Sequence, residues 1–459
     1  MRAHRSAVRR IAILTSNFWP EPTSTGQTVW EFAHFLAQRG LDVRVATSMP
    51  YYPQWRIWKE YRGALWATEH HEGVSVLRSW HFVAPRPSTL TRLLHETTLS
   101  LVAMPQMIRA LRGAAVAYIV SPALGFAVTA SVMALLFRVR RVLVVKDVMP
   151  DAAVELGMLR NPLVIAVSRW LARRIYDGAD EIHTLGEGMR ARIARGTRAP
   201  EKIRVVPDTI DSEELRPVPF EANEFRRRFV PGHTFAVVHT GNMGKKQDLE
   251  LLLRAAQRLK DEPRVRFYVF GEGAVKEAFL RRRDELRLEN VSYHPLVERC
   301  MLRHLLSGAD VVLVSQRAEV VDIVVPSKLI TSLGAGAMII AACPAGSETA
   351  RLLERSAGGI TIPAGDDAAL AEQIRRLERG AVETSPYRQR ARAFAMRVFD
   401  RASVYGPLVE ELSLADSRGP GNETSTGHRR GWFHRTSSRQ APGEHGPLGA
   451  RRGHQGARL

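Results

Sequence analysis

The sequence from residue 322 to residue 336 reads DIVVPSKLITSLGAG, in which a proline and two polar residues interrupt apolar sequence. Proline suits the first turn of a helix, where its missing N–H costs nothing, so we expect a helix to begin near Pro326. Ser327 and Lys328 then lie near free backbone N–H groups and the positive end of the helix dipole. This combination suits a phosphate or diphosphate. A capped helix with a solvated lysine explains this stretch equally well when it is taken alone.

The start of the chain has the pattern of a nucleotide-binding βαβ unit. Residues 10–15 predict a buried parallel strand, residues 27–39 a helix and residues 41–47 a second strand. The loop between the first strand and the helix ends at Gly26, where a ligand could approach the backbone closely. A single glycine is also what any tight turn needs.

A second unit of the same kind begins with FAVVHTGNMGKKQ at residues 235–247. Gly241 allows close backbone approach, and Lys245 and Lys246 supply the positive charge that a leaving diphosphate needs. Residues 267–273, FYVFGEG, form another strand that ends in a glycine loop. The sequence therefore predicts an α/β protein with two Rossmann-like, doubly wound domains.

Together these segments resemble the retaining glycosyltransferases of the GT-B fold, of the group 1 or family 4 type. The resemblance is greatest to the exopolysaccharide and colanic-acid branch, which carries a Pro-Ser-Lys-Leu signature, and it spans about residues 10–412. It implies two Rossmann-like domains that face a cleft. It also implies hexosyl transfer, with retention and without a metal or other cofactor, from a nucleotide diphosphate sugar to a hydroxyl of a lipid-linked or polysaccharide acceptor.

The resemblance also assigns roles to individual residues. Ser327 and Lys328 would meet the diphosphate, and Lys246 is the best match to the lysine of the family's second motif. Gly241 and Asn242 lie in the same loop, where most relatives have an arginine in place of Asn242. Glu272 falls in the region that meets the nucleotide base and phosphate.

Two positions depart from the family pattern. A ribose-binding glutamate is replaced by Thr331, and its usual partner glutamate by Ile323. Threonine offers one hydroxyl where a carboxylate can accept two ribose hydrogen bonds, so we expect Asp322 or Glu319 to compensate. A non-catalytic subunit with the same fold, or a nucleotide-sugar-binding protein, would also explain the missing glutamates.

The segment VKDVMPD at residues 145–151 follows an apolar strand, at the edge where open α/β sheets bind ligands. Similar enzymes carry an acidic residue here, and many place a histidine where this chain has Lys146. Asp147 could orient the acceptor or stabilise positive charge on the sugar. Capping of the following helix is a nearly equal alternative.

The formal net charge of +19 invites a nucleic-acid interpretation, but much of the excess is terminal. Residues 1–10 carry four arginines and no acid, and residues 417–459 carry eight arginines against two glutamates. Since no nucleic-acid motif is present, we expect no nucleic-acid partner. Two cysteines, Cys300 and Cys343, are too few for a disulfide framework, and no set of residues has metal-ligand spacing, which fits a cytoplasmic protein without a metal site.

Membrane contact is suggested by three features of the first domain. Residues 49–113 are irregular and rich in aromatic and basic residues, and residues 90–111 have a basic amphipathic pattern that Pro105 would kink or split. Residues 114–137 carry no charge and are long enough to cross a bilayer. Pro122 favours a strand, a turn and a helix instead, so we expect peripheral attachment to the inner face of the plasma membrane.

The predicted organisation has five parts. Residues 1–9 form a basic extension, 10–205 an acceptor domain and 206–385 a nucleotide-sugar domain. Residues 386–413 form one long helix that returns to the first domain, and residues 414–459 a disordered basic tail.

Overall fold

The computed structural model describes residues 9–85, 89–121, 123–155, 159–244, 246–319 and 327–414. Both of its β-sheets lie in one compact unit that ends at Glu411. The predicted tail 414–459, apart from Leu414, and the predicted extension 1–9, apart from Arg9, lie outside the described residues.

The first sheet has eight strands in the order β3-β4-β2-β1-β5-β6-β7-β8. They are β1 (Arg10–Thr15), β2 (Asp42–Ser48), β3 (Trp66–His71), β4 (Val74–Ser79), β5 (Ala114–Ser121), β6 (Arg140–Val145), β7 (Glu181–Thr184) and β8 (Ile203–Val205). All neighbours are parallel except β3, which pairs antiparallel with β4. The β3–β4 hairpin lies in the segment expected to be irregular, so that expectation was wrong.

Among the described residues, seven α-helices connect these strands. They are α1 (Ser24–Ala37), α2 (Thr89–Val102), α3 (Met104–Leu111), α4 (Leu124–Leu136), α5 (Asp151–Glu155), α6 (Pro162–Gly178) and α7 (Glu187–Ala194). The amphipathic segment 90–111 is split as expected, with Pro105 in the first turn of α3. The charge-free segment 114–137 forms β5 and α4, and no helix among the described residues is long and apolar enough to cross a membrane.

The second sheet is parallel throughout, in the order β11-β10-β9-β12-β13-β14. Its strands are β9 (Phe235–Asn242), β10 (Val265–Glu272), β11 (Val291–His294), β12 (Val311–Ser315), β13 (Ile339–Cys343) and β14 (Gly359–Pro363). Its helices are α8 (Glu224–Phe229), α9 (Leu249–Arg258), α10 (Lys276–Glu285), α11 (Arg299–Gly308), α12 (Ser327–Gly334), α13 (Glu348–Ser356) and α14 (Asp367–Glu378). Strands β9, β12 and β13 are almost wholly buried, which is typical of a sheet covered on both faces.

After the second sheet, the described part of the chain up to Leu414 forms the helices α15 (Ser385–Val398) and α16 (Arg401–Leu414). The expectation of one continuous helix was therefore wrong. The break occurs because the backbone pairs with the interdomain segment: the N–H of Ile210 donates to Phe399 O at 2.8 Å, and that of Arg401 donates to Ile210 O at 3.1 Å. Beyond the break, Tyr405 and Leu408 pack against Phe35 of α1.

Polar contacts hold the two sheets' domains together. Oε1 of Glu31 in α1 accepts a hydrogen bond from Nη2 of Arg299 in α11 at 2.6 Å. Nη2 of Arg401 lies 3.5 Å from Oε2 of the same glutamate. On another side, Glu348 Oε2 of α13 accepts the N–H of Gly188 in α7 at 3.2 Å. These contacts link the first domain to the second.

Candidate donor site

A cavity of about 510 Å³ lies where the carboxyl ends of the two sheets face each other. This is where open α/β sheets bind ligands. The first domain lines it with Ser24, Thr25, Thr28, Lys146, Asp147, Leu185 and Asp208. The second domain lines it with Thr240, Gly241, Asn242, Lys246, Gln247, Leu296, Val297, Arg299, Leu302, Ser315, Gln316, Ser327, Lys328 and Thr331.

Helix α12 presents Ser327 and Lys328 from its first turn to this cavity. The Nζ atom of Lys328 lies 3.4 Å from Nε2 of His239, which is fully buried in β9. Among the described residues no carboxylate pairs with this lysine. Burial lowers the pKa of Lys328 from 10.5 to about 7. An incoming anion would restore the charged form, which is the condition for an anion site at a helix start.

The lysine also lowers the pKa of its neighbour. Burial, and then the charge of Lys328, holds the pKa of His239 well below its usual range. His239 is therefore a neutral imidazole beside the amine. It adds no competing charge to the cavity.

Glycines lie near the ends of β9 and β10, at Gly241 and Gly271, and directly after β10, at Gly273. Gly241 has a φ of 107°, a conformation that favours glycine. A Cβ on Gly271 would lie 2.5 Å from the carbonyl oxygen of Gly241, and one on Gly273 would lie 2.6 Å from that of Met243. The two loops can therefore pack closely beside the cavity only because these positions are glycine.

An ion pair crosses the cavity between the domains. Nζ of Lys246, after β9, lies 3.0 Å from Oδ1 of Asp147, after β6. Both side chains are partly exposed, at 30% and 25%. The sequence motifs imply separate roles for these two residues, and the structure brings them into contact.

A second pair lies beside the first and was not predicted as part of the site. Lys146 binds Asp208, and both are largely buried cavity residues. The signal available was position: Lys146 directly precedes Asp147, and Asp208 follows the last strand of the first sheet. Gln316 and Arg299 also line the cavity, and no motif marked them.

Several predicted site residues have other surroundings. Gly26 is buried in α1 and absent from the lining, where its neighbours Ser24, Thr25 and Thr28 appear. A Cβ on Gly26 would lie 2.7 Å from Oγ1 of Thr23, so this glycine serves packing of the helix start. Glu272 is absent from the lining too, and accepts hydrogen bonds from Lys276 at 3.0 Å and the Tyr293 hydroxyl at 2.8 Å.

The remaining predicted residues are Thr331, Asn242, Lys245 and Asp322. Thr331 and Asn242 line the cavity. The Thr331 hydroxyl donates within its own helix, to Ser327 O at 3.2 Å or Lys328 O at 3.1 Å, so it is left to act as an acceptor. Lys245 and Asp322 lie outside the described residues, and Glu319 is exposed and not part of the lining.

No group of three or more His, Cys, Asp or Glu side chains is placed to hold a metal ion within the part of the chain that the structure describes. The charged groups that the cavity offers are lysines, one arginine and two aspartates. With glycines and a helix start beside them, these groups have the chemistry that suits an anion.

Comparison with known proteins agrees with this geometry. Residues 24–209 match the model of the glycosyl transferase 4-like domain, and residues 234–379 match that of glycosyl transferases group 1. Together the two models cover most of both domains, from α1 to α14.

Two curated proteins are similar in sequence. The putative colanic acid biosynthesis glycosyl transferase WcaI of Escherichia coli K12 is 28% identical over 411 residues, which are 88% of this chain and 99% of that protein. The probable glycosyltransferase WbjE of Pseudomonas aeruginosa is 29% identical over 239 residues, 51% of this chain and 58% of that protein.

Among solved structures, Anabaena HepE in complex with UDP and glucose aligns with a TM-score of 0.66 at 15% identity. The alignment covers 88% of this chain and 100% of HepE, and at this identity it shows the fold. The fold is GT-B, two Rossmann-like domains that face a cleft, as predicted. Because the two glycosyltransferase family models together match more than half of the chain, the chain belongs to the group 1 glycosyltransferases.

Proposed function

We propose that this glycosyltransferase moves a hexosyl group, with retention and without a metal, from a nucleotide diphosphate sugar to a hydroxyl of a lipid-linked or polysaccharide acceptor. The observation that carries the proposal is the 510 Å³ cavity, in which Lys328, Lys246 and the start of α12 converge. The binding of UDP by HepE supports a nucleotide diphosphate as the donor's leaving group. The similarity to WcaI supports an acceptor in cell-surface polysaccharide synthesis.

The chemical task is to stabilise negative charge on the leaving diphosphate while the sugar becomes cation-like. Lys328 and the backbone N–H groups at the start of α12 would hold the phosphates. Lys246 would stabilise the negative charge that forms on the diphosphate as the C–O bond breaks. Asp147 beside it would face the sugar or the acceptor hydroxyl.

A panel of nucleotide diphosphate sugars tests the proposal by thermal shift, since a ligand of the native state raises the melting temperature by mass action. We expect at least one sugar nucleotide to stabilise the protein more than its free sugar does. If none does, the alternative of a non-catalytic subunit with the same fold replaces the proposal.

The pH dependence of donor binding provides a second prediction. Because burial lowers the pKa of Lys328 to about 7, donor binding above that pH should take up a proton and weaken as the pH rises from about 7 to 9. The stability of the free protein depends on pH in the opposite direction from donor affinity. The unfolded chain binds the extra proton between the two pKa values, so this group makes the folded state more stable as the pH rises across that window.

Calorimetry in two buffers of different ionisation enthalpy measures the proton uptake. A nucleotide diphosphate sugar is the suitable ligand because it has no terminal phosphate that titrates near neutral pH. We expect the uptake in the parent and its loss in Lys328→Met. Equal affinity at pH 7 and 9 in the parent would contradict this role for the lysine.

We also propose that the first domain lies on an anionic membrane surface. Helix α4 packs between α2 and α6, and all three expose large apolar side chains. This apolar face consists of Leu93, Leu94 and Leu101 of α2, Val132, Leu135 and Leu136 of α4 with the adjoining Phe137, and Leu163, Val164, Val167 and Trp170 of α6. Exposed arginines beside it, such as Arg92, Arg138 and Arg174, would attract anionic lipids.

Binding to vesicles measures this attachment. The variants Leu163→Glu and Trp170→Glu should each bind vesicles more weakly than the parent. Leu163 is 72% exposed and Trp170 is 54% exposed. Ala381→Glu adds the same charge at an exposed position of the second domain and should leave binding unchanged. Equal binding of all three variants and the parent would remove the apolar face from the proposal, as would retention on cell membranes after both high salt and alkaline carbonate.

A further inference from the structure

A second cavity, of about 280 Å³, lies in the first domain next to the segment that carries Asp147. Three parts of the chain line it: residues 148–151, helix α6 and the region of helix α7. Its charged lining consists of one aspartate, Asp151, and the four arginines Arg169, Arg173, Arg192 and Arg195. The formal charge of this lining is strongly positive.

The aspartate holds part of this charge in place. Its Oδ1 accepts Nε of Arg169 at 3.0 Å, and Nε of Arg192 lies 3.8 Å from its Oδ2. Arg173 and Arg195 are exposed, and within the described ranges no carboxylate forms an ion pair with either. Asp151 thus contacts two of the four guanidinium groups, and the excess of cations in the lining rests on Arg173 and Arg195.

Such a lining selects the chemistry of its ligand. A guanidinium presents planar N–H donors that match two oxygens of a phosphate, and several guanidinium groups together favour a group with more than one negative charge. A hydrophobic ligand or a cation would offer these arginines neither a hydrogen-bond acceptor nor a negative charge. The cavity therefore suits a phosphate or diphosphate.

Helix α6 places this cavity next to the apolar face. Arg169, Ala172, Arg173 and Tyr176 have the i, i+3, i+4, i+7 spacing of one helix face, and all four line the cavity. Leu163, Val167 and Trp170 lie on the adjoining, solvent-exposed side. The guanidinium of Arg174 lies on that side too, 5.3 Å from the centre of the Trp170 ring.

We propose that the arginine cavity binds the phosphate or diphosphate of an amphiphilic acceptor, whose hydrocarbon chain follows the exposed apolar side of α6. This proposal rests on the proposed transfer to a lipid-linked acceptor. Residues 148–151 line the arginine cavity, whereas Asp147, directly before them, lines the donor cavity. An acceptor held by its phosphate would thus present its hydroxyl end toward Asp147.

The test is direct binding of the full chain to vesicles. Three compositions are compared: phosphatidylcholine alone, phosphatidylcholine with phosphatidic acid, and phosphatidylcholine with a polyprenyl diphosphate at equal total charge. Free pyrophosphate is added as a competitor. We expect the polyprenyl diphosphate vesicles to bind most tightly and pyrophosphate to reduce that binding.

Arg173→Ala and Arg195→Ala should each weaken binding of the diphosphate vesicles by about tenfold, the effect of one lost charge-assisted hydrogen bond. Arg174→Ala is the comparison, since it removes the same charge from the next position of the same helix but outside the cavity. Because Arg174 lies beside the apolar face, we expect this variant to weaken binding of the phosphatidic acid vesicles and of the diphosphate vesicles by the same factor, whereas Arg173→Ala weakens binding of the diphosphate vesicles more. If Arg173→Ala also weakens binding of the two kinds of vesicle by the same factor, general attraction to a charged surface replaces the cavity site.

Other outcomes also decide the matter. Equal binding of phosphatidic acid and diphosphate vesicles, lost alike in Arg173→Ala, would mean a phospholipid headgroup site and overturn the assignment to the acceptor. Inhibition by pyrophosphate in the absence of any lipid preference would mean a free phosphate site and overturn it too. Thermal shift with the sugar nucleotide panel reports separately on the donor cavity. If the parent binds the diphosphate lipid through Arg173 but binds no sugar nucleotide, the proposed function is wrong and the phosphate site remains.

Discussion

Replacing Lys328 by alanine should weaken binding of the nucleotide diphosphate sugar by roughly tenfold to a hundredfold, which corresponds to about 1.5–3 kcal/mol for a hydrogen bond to a charged group. The reason is that Lys328 lies in the first turn of α12, lines the donor cavity and has a neutral histidine as its neighbour. Since no carboxylate among the described residues pairs with Lys328, its ammonium group is available to bind an incoming anion. Calorimetry on the parent and the variant measures the change.

Folding of the variant is checked in the free protein. Lys328→Met keeps most of the aliphatic length and removes the desolvated amine, so we expect its melting temperature without ligand to equal or exceed that of the parent. Lys260→Ala, at an exposed position after the end of α9 and outside the cavity lining, is the control for loss of one lysine. Parent-like donor affinity in a folded Lys328→Ala would remove this residue from the donor site.

Replacing Lys246 by methionine should lower the transfer rate at saturating donor by about a hundredfold to a thousandfold, the range for loss of one group that stabilises developing negative charge. In the free protein the lysine is held by Asp147 at 3.0 Å across the cavity. Charge that forms on the leaving diphosphate would draw Lys246 away from this partner. The effect should therefore appear in kcat more than in KM.

A double-mutant cycle separates catalysis from attachment of the domains. Asp147→Asn and Lys246→Met should each slow transfer, and the double variant should be less impaired than the sum of the two free-energy changes, because the residues are in contact. If both variants raise KM and leave kcat unchanged, the ion pair only sets the width of the cleft.

The order of strands and helices could be predicted because buried parallel strands produce local apolar runs bounded by glycine and proline. The edge strand β3 could not, because residues Trp66–His71 alternate between exposed and half-buried and carry polar side chains. The break before α16 has no proline or glycine to mark it. It arises from pairing of Phe399 and Arg401 with Ile210, far away in the sequence.

The same distinction applies to the site. Ser327, Lys328, Lys246 and Asp147 could be singled out because each follows a strand or begins a helix at the ligand-binding edge. Asp208 and Arg299 could not be singled out, because ion pairs with residues of other elements hold them at the cavity. Asp208 pairs with Lys146, and Arg299 pairs with Glu31. Gly26 shows the reverse. Its sequence position predicted a ligand-binding loop, but it lies in the first turn of α1, where it packs against the N-cap residue Thr23.

The most direct test of the donor assignment is nuclear magnetic resonance of the purified protein with a nucleotide diphosphate sugar that it binds and an acceptor alcohol. We predict release of the nucleoside diphosphate together with a glycoside whose anomeric configuration equals that of the donor, and loss of both products in Lys328→Ala. A parent protein that leaves every sugar nucleotide of the panel intact, or that yields the inverted anomer, would contradict the account.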